Sequence, residues 1–565
     1  MKLKLPYGIS HYKTVIEEGY TYLDKTGWIQ TIEDTSRYNL IMRPRRFGKS
    51  LFVSMLAYYY DIKAKHDFTR LFGHLAIGQN PTGNQNRYQV LFMEFSGIST
   101  DDPQTIEADF TRKIDNLLQR FLLKYDYPEQ VGVQIAAANT PAGKMEALFT
   151  VQGEQPIYLI IDEYDHFANA LLADNLTYFR RIMGKGGFVR AFYETIKAAT
   201  QQGSIDRLFI TGVTPIMLDS LTSGFNMVKN LSLLPAFNEA IGLSRPETLS
   251  LIQPLVEQCN LTVDLMGTLK DWYNGYVFAY RGQPMYNANM LLYFLGNFDK
   301  ERCAFPTNML DENIASDYGK ILRMFSIGDR DVNYAVLEEL ISTGEITTQQ
   351  RRQFDFDKGF DREDFISLLY YMGFVSLAGE ELGSQRFRIP NYVIKKLYFE
   401  YFKVEIERRN TLQIPTQTIH KAVVALALHN DIEPLRLEVQ QLLQILSNRD
   451  FMRMDEKHLK VLLTTLLYQS PAYYIKSEPE MNRKYPDILL LERSPYAVQH
   501  QHLIELKYCK KSERQKQPQV WDDKRAEGIQ QVQGYQQLPD IQKLDKLSCW
   551  VMLTDGEEVL VEQVT

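Results

Sequence analysis

Tyr38-Asn39-Leu40-Ile41-Met42, then Arg43-Pro44-Arg45-Arg46-Phe47-Gly48-Lys49-Ser50, then an apolar stretch from Leu51: this succession decides the fold. The first five residues read as a buried strand and the stretch from Leu51 as a helix, so the loop joins the two. A loop in that context presents backbone N–H groups and a helix N-terminus to phosphate oxygens. Lys49 would reach the outer phosphates of a nucleotide and Ser50 would ligate Mg²⁺. Arg45, Arg46 and Gly48 complete the candidate cofactor-binding loop. The general pattern is GxxxxGK[ST], and here Arg43 replaces its first glycine, which counts against tight nucleotide binding.

Working outward, Val90–Met93, Ile157–Ile161 and Arg207–Thr211 are further apolar runs separated by helical stretches. Such runs predict a parallel sheet with helices on both faces, an α/β domain over residues 1–245. Ile157–Ile161 ends in Asp162-Glu163. A carboxylate at that strand end holds Mg²⁺ in nucleotide hydrolases and the following Glu polarises the attacking water, so Asp162 is assigned to metal and Glu163 to water activation. Thr211, at the end of the next strand, is a candidate γ-phosphate sensor. A plain strand-to-turn boundary accounts for it equally simply, with Gly212 and Pro215 supplying the turn.

The rest of the 565 residues changes character twice. Residues 246–450 read as mostly helical, with two short strands around Gly379–Gly383 that suggest a winged-helix-like module near 360–402. Residues 451–565 return to α/β: a helix from Asp455 to Leu467 and strands at 487–491, 502–506 and 549–553. The composition is that of a globular protein, 45% hydrophobic and 24% charged, and no run of eighteen apolar residues predicts a membrane span. Four scattered cysteines without a CxxC pair make zinc unexpected and a reducing cytoplasm the default location. A net charge of −7 excludes a wholly cationic surface, yet leaves room for a local basic groove.

The opening Leu5-Pro6-Tyr7-Gly8-Ile9, Tyr22-Leu23-Asp24-Lys25-Thr26, the arginine-rich loop, Leu159 to Asp165, Thr211 to Pro215, Tyr273-Asn274-Gly275-Tyr276 and Ile389-Pro390-Asn391 are shared features of one family. On them the chain resembles bacterial AAA-ATPase-like proteins with a C-terminal PD-(D/E)XK nuclease domain. The resemblance spans nearly the whole chain. It implies a P-loop NTPase-like fold, a helical or winged-helix-like middle and a C-terminal restriction-endonuclease-like domain. The arginine-rich loop is itself typical of that family.

In this light Tyr485-Pro486-Asp487 and Glu505-Leu506-Lys507 read as PD and ExK on neighbouring strands. Period-two alternation sets Glu505 and Lys507 on one face. Asp487 and Glu505 offer hard oxygens suited to Mg²⁺ or Mn²⁺, and Lys507 would position water or stabilise charge during phosphodiester cleavage. The resemblance adds Glu456 on the preceding helix, and Gln531 and Tyr535 on the helix that follows. The bland alternative for Glu505 and Lys507 is a strand-edge ion pair. Lys510, Lys511, Arg514, Lys516, Lys524 and Arg525 suit either a phosphate-tracking surface or a solvated loop. Trp521 and Tyr535 suit either base stacking or the core.

The expected activity is an ATP-gated, Mg²⁺-dependent nuclease acting on nucleic acid, DNA before RNA, in defence or DNA processing. Two rivals stay open: an NTP-regulated nucleic-acid-binding protein without cleavage, and a nuclease whose ATPase-like domain does not hydrolyse ATP. Assembly into a homo-oligomer is not decided by the sequence. Arg180, Arg181 and Arg190 are loose candidates for a trans-acting arginine.

Overall fold

Leu40, Ile41 and Met42 are at most 2% exposed, and Ile157 to Ile161 are fully buried, as strands covered on both faces must be. In the structure, a computed structural model, they lie in one parallel sheet. It describes residues 4–565 except 99–101, 103–104, 152, 154, 218–226, 260–263, 315, 317–321, 355, 357–358, 448–454, 478, 480 and 482–483. The strands are β1 (Tyr38–Met42), β2 (Gln89–Glu94), β3 (Ile157–Asp162), β4 (Ile205–Gly212) and β5 (Lys229–Asn230), in the order β2-β3-β4-β1-β5. Every pairing is parallel. The α/β class expected from the apolar runs is thus observed. Strand β4 separates β1 from β3, so the loop after β1 and the acidic end of β3 flank Thr211, which registers with Ile41. Helix α1 (Lys49–Tyr60) starts directly at the loop's lysine.

The chain divides into two units: Met1–Asn297 with Leu310–Val336 and Glu345–Tyr392, and Phe298–Met309 with Leu337–Gly344 and Val393–Thr565. The boundary expected near residue 450 falls at 448–454, outside the described residues. In the first unit an antiparallel sheet of order β6-β8-β7 joins β6 (Glu345–Thr348), β7 (Ser376–Glu381) and β8 (Ser384–Arg388). Helix α2 (Arg362–Met372) precedes the hairpin, capped by Asp361 at its start and by left-handed Gly373 at its end. The hairpin turn is Leu382-Gly383, not the wider Gly379–Gly383 expected from composition. Both residues have positive φ (48° and 88°), the geometry of a two-residue turn, so Gly379 to Glu381 extend the strand instead.

In the second unit, β9 (Tyr473–Ser477), β10 (Ile488–Glu492), β11 (Gln501–Tyr508), β12 (Leu547–Thr554) and β13 (Val559–Val564) form a mixed sheet of order β13-β12-β11-β10-β9. Only β11 and β12 run parallel. Helices α3 (Glu456–Leu467) and α4 (Gln519–Gln536) precede and follow its central strands. Leu489, Leu503, Val532, Tyr535 and Val551 form the core between α4 and the sheet. Strands β9 and β13 occupy the edges and were not foreseen, because their half-exposed residues lack a long apolar run. Among the cysteines, Cys509 and Cys549 are free and buried.

His502, on β11, is fully buried. Its Nδ1 accepts from Trp550 Nε1 at 3.1 Å and its Nε2 donates to the Leu426 carbonyl at 3.2 Å. Those two partners fix the neutral imidazole, and burial pulls its pKa from 6.5 down to about 4. Below pH 6.5 the unfolded chain therefore binds a proton that the folded chain refuses. The His502 contribution is intact above pH 6.5 and is lost progressively toward pH 4, a change of about 3 kcal/mol. Urea midpoints at pH 7.5 and 4.5 should differ more for the wild type than for His502→Gln. Equal differences would show that His502 does not set this slope.

Candidate functional site

The first site grows from the loop after β1. Gly48 has φ +100° and begins α1 as its N-terminal cap, and its neighbour Arg46 takes a left-handed φ of +68° that few arginines adopt. The side chain of Lys49 is 6% exposed, and its Nζ donates to the carbonyls of Arg43 and Pro44 at 3.0 Å each. Burial lowers its pKa, against the opposing pull of Glu163, Asp162 and Asp165. Arg45, Arg46, Gly48, Lys49 and Ser50 line one cleft together with Glu163. An apolar pocket lined by Tyr22, Leu23, Ile241 and Leu243 also includes Gly48 and Leu51.

Arg43 takes no part in that cleft. It is 1% exposed, donates to the carbonyls of Met42, Ser232 and Phe237 at 2.9, 3.0 and 2.6 Å, and lies 4.1 Å over the Phe278 ring. Its φ is not positive, so the backbone there needs no glycine. The missing first glycine is thus an anchor that ties the loop to residues 232–278. Burial pulls its pKa down to about 10, which still leaves it charged at neutral pH. Arg43→Gly restores the general motif, yet it strips three buried carbonyls of their donor. It should cost about 3 kcal/mol without tightening nucleotide binding. Thermal unfolding beside nucleotide titration checks this, and a variant as stable as wild type with higher affinity would refute it.

Two motifs with no evident job in the sequence complete the anchoring. The ring of Tyr276 meets Phe47 edge-on at 4.8 Å. The Asn287 side chain and the Asn289 N–H donate to the carbonyls of Arg45 and Arg46 at 3.3 and 3.2 Å. Gly275, at φ +93°, lies so near Pro390 that a Cβ would sit 2.0 Å from its carbonyl oxygen. Asn391 donates to the Asn274 carbonyl at 2.8 Å. The Tyr273–Tyr276 and Ile389–Asn391 segments therefore clasp each other behind the loop.

Asp162, 2% exposed, accepts from the hydroxyls of Thr211 and Ser50. Burial raises its pKa, while those two hydroxyls and Lys49 work the other way. Thr211 is fully buried and its hydroxyl is committed to Asp162, so it orients that carboxylate. Glu163, in a left-handed conformation (φ +54°), faces the cleft with its carboxylate 3.3 Å from His166 Nδ1. That contact lowers its pKa. Asp165, unassigned from sequence, accepts from the Val213 and Thr214 N–H groups at 3.0 and 2.6 Å and holds the β4 turn in place. His166 was missed as well, since a lone histidine after an acidic run carries no pattern.

The second site lies at one end of the C-terminal sheet. Ile488 pairs with Ile504 across antiparallel strands, which sets Asp487 beside Glu505. Asp487, Glu505 and Lys507 are 8, 3 and 2% exposed. Asp487 Oδ2 accepts the Leu506 N–H at 2.9 Å, and Lys507 Nζ donates to Glu505 Oε1 at 2.8 Å and to the Leu506 carbonyl at 3.0 Å. Burial, reinforced by Asp487, pushes the Glu505 pKa up to about 7. Burial works against the charge of Lys507, but Glu505 outweighs it and holds the ammonium above its ordinary range. Glu456, the first residue of α3, is raised by burial and feels both Lys507 and Asp487.

Gly528 lets α4 approach this end: a Cβ there would sit 2.8 Å from Val551 and 3.3 Å from the Lys507 stem. Tyr535 is buried in the core and donates to the Tyr485 carbonyl at 3.3 Å, so it is not a stacking platform. Two buried oxygens, Glu505 Oε2 and Gln531 Oε1, have no hydrogen-bond partner. Among the described residues no group of three or more His, Cys, Asp or Glu side chains is placed to hold a metal. The residues here that could hold a divalent cation are Asp487 and Glu505, whose Oε2 is a buried acceptor without a hydrogen-bond partner. Sequence reading missed Lys460, 5% exposed, whose Nζ is 3.7 Å from Asp487 Oδ1. Its signal was available, because residues four apart on a helix share a face and Lys460 follows Glu456 by four.

The basic run beyond β11 is largely neutralised within its own unit. Lys511 pairs with Glu557, Arg514 with Asp555 and Glu558, Lys524 with Glu527 and Arg525 with Glu562. Arg514 also covers the Trp521 ring at 3.7 Å. The solvated-face reading therefore fits these residues better than a phosphate track. Arg180 donates to the Phe356 carbonyl, Arg181 lies over Tyr178 and Arg190 pairs with Glu194, all within the chain. Among the described residues no helix is long and apolar enough to cross a membrane.

Comparison with known proteins agrees with both halves. Residues 6–222 match the AAA-ATPase-like family, described as predicted AAA-ATPase, and residues 454–564 match the PD-(D/E)XK nuclease superfamily. An "uncharacterized protein in vnfD 5′ region" of Azotobacter chroococcum mcd 1 is 28% identical over 348 residues. The match takes in 58% of this chain and 61% of that protein's length. A Walker-type ATPase of Pyrococcus abyssi aligns with a TM-score of 0.38 at 12% identity, over 66% of this chain and 94% of the other.

Proposed function

We propose, for a chain that joins an AAA-ATPase-like domain to a PD-(D/E)XK nuclease superfamily domain, that ATP binding gates metal-dependent hydrolysis of nucleic-acid phosphodiester bonds. One observation carries the nuclease half: Asp487, Glu505 and Lys507 converge, all buried, and Glu505 keeps an unpartnered oxygen. Asp487 and Glu505 would hold Mg²⁺ or Mn²⁺. When bound, the cation supplies charge stabilisation at the phosphoryl oxygens and lowers the pKa of water. Lys507, kept charged by Glu505, would orient the attacking water and offset the negative charge that develops. Glu456, whose pKa burial raises, is suited to pass a proton to the leaving oxygen.

In the first unit, Lys49 would exchange the carbonyls of Arg43 and Pro44 for nucleotide phosphates. Ser50 and Asp162 would hold Mg²⁺, Glu163 would face the attacking water, and Arg45 and Arg46 would meet phosphate at the rim of the cleft. DNA is the first substrate to test, and a role in defence or DNA processing rests on the domain pairing alone. The pairing of Glu163 with His166 favours a second reading, in which nucleotide binding switches the protein without turnover.

The test is cleavage of DNA and RNA substrates in Mg²⁺, Mn²⁺ or chelator, each with ATP, a non-hydrolysable analogue or no nucleotide. Cleavage that needs metal and responds to ATP supports the gated nuclease. An equal response to the analogue selects the switch. Binding without cleavage under every condition would overturn the nuclease reading.

A further inference from the structure

We propose that Lys460 is a charge-balancing residue of the C-terminal site: it stands on Asp487 where a divalent cation must act, and so sets how tightly that cation binds. The inference rests on reading Asp487 and Glu505 as the cation's ligands. Lys460 lies one turn after Glu456 on α3, among Leu459, Val461, Leu462 and Leu463, all buried. A lysine on such a face carries a desolvation cost, which needs a nearby negative charge to offset it. That charge is Asp487, whose Oδ1 is 3.7 Å from Lys460 Nζ. The separation is that of an ion pair and is longer than a charged hydrogen bond. Lys507 sits closer to its own carboxylate, donating to Glu505 Oε1 at 2.8 Å.

Asp487 and Glu505 thus each face an ammonium group, with Glu456 a third carboxylate acting on Lys507 and Asp487. A divalent cation entering between Asp487 and Glu505 meets Lys460 as a like charge on the same carboxylate. Repulsion at such separations is large where water is scarce. Its effect is to weaken cation binding until a scissile phosphodiester adds negative charge, which couples cation affinity to nucleic-acid binding. A merely structural Lys460–Asp487 pair makes the opposite prediction, since its loss would loosen the site and weaken the cation.

The experiment is Mn²⁺ titration by calorimetry on the full chain, without nucleotide or nucleic acid, for wild type, Lys460→Met, Lys460→Gln, Lys460→Arg and Asp487→Asn. Binding that disappears in Asp487→Asn reports this site alone. Lys460→Met should bind Mn²⁺ at least about tenfold more tightly than wild type. Lys460→Arg should stay near the wild type. Lys460→Gln carries the same expectation as Lys460→Met if the latter does not fold. Asp487-dependent binding that neither neutral variant tightens overturns the proposal alone. Absence of Asp487-dependent Mn²⁺ binding in every protein overturns the cation-site reading and the proposal with it.

Discussion

Asp487→Asn should reduce metal-dependent cleavage of nucleic acid by about 10²–10³-fold or more, while affinity for nucleic acid in chelator stays within about threefold. The substitution preserves shape, and the new amide oxygen can still accept the Leu506 N–H that Asp487 Oδ2 accepts at 2.9 Å. What it removes is one of two carboxylates at the buried end of the sheet, hence half of the charge that would hold a cation. It also deprives Lys460 of the carboxylate 3.7 Å away, so some loss of stability should accompany the loss of activity. Melting curves separate the two effects, because a folded but inactive variant attributes the loss to chemistry. Cleavage within tenfold of wild type would remove Asp487 from the site and leave its strand-end position as a structural one.

Lys49→Met should weaken nucleotide binding by about 10²-fold or more and abolish any response of cleavage to ATP. The lysine is a buried cation that feels Glu163, Asp162 and Asp165. It now rests on the carbonyls of Arg43 and Pro44, contacts that a phosphate would replace. Methionine keeps the apolar stem and deletes the charge, so the loop can retain its shape through Arg43, Phe47 and Asn287. Titration with a fluorescent nucleotide analogue reads the affinity directly. An affinity within threefold of wild type would mean that the loop does not bind nucleotide through this residue.

Much of the fold was legible because its signals are local. Apolar runs at 38–42, 90–93, 157–161 and 207–211 became β1 to β4, and their crossover helices required parallel pairing. The pair Glu505 and Lys507 followed from period-two alternation, and Lys49-Ser50 from its place between strand and helix. Edge strands β9 and β13 were not legible, since half-exposed strands leave no continuous apolar run. The hairpin turn was misplaced because composition weighs all glycines alike, whereas positive φ at Leu382 and Gly383 marks the real one.

What the sequence by itself determined is the elements that carry a continuous apolar run or helical period, and which residue types stand at their ends. Both follow from chain-local properties: strand and helix periodicity, and the chemistry of Lys49, Asp162, Asp487, Glu505 and Lys507. Only the tertiary structure decided what those residues touch. Arg43 looked like a defect in a phosphate loop and is a buried anchor, because its acceptors at Ser232 and Phe237 lie nearly two hundred residues away. Thr211, a candidate sensor by sequence, gives its hydroxyl to Asp162, and the basic run, which suited a phosphate track or a solvated loop alike, is met by Asp555, Glu557, Glu558 and Glu562. Charge and hydrogen bonding act through space over a few ångströms, so pairings made by residues distant in the chain leave no trace in local sequence.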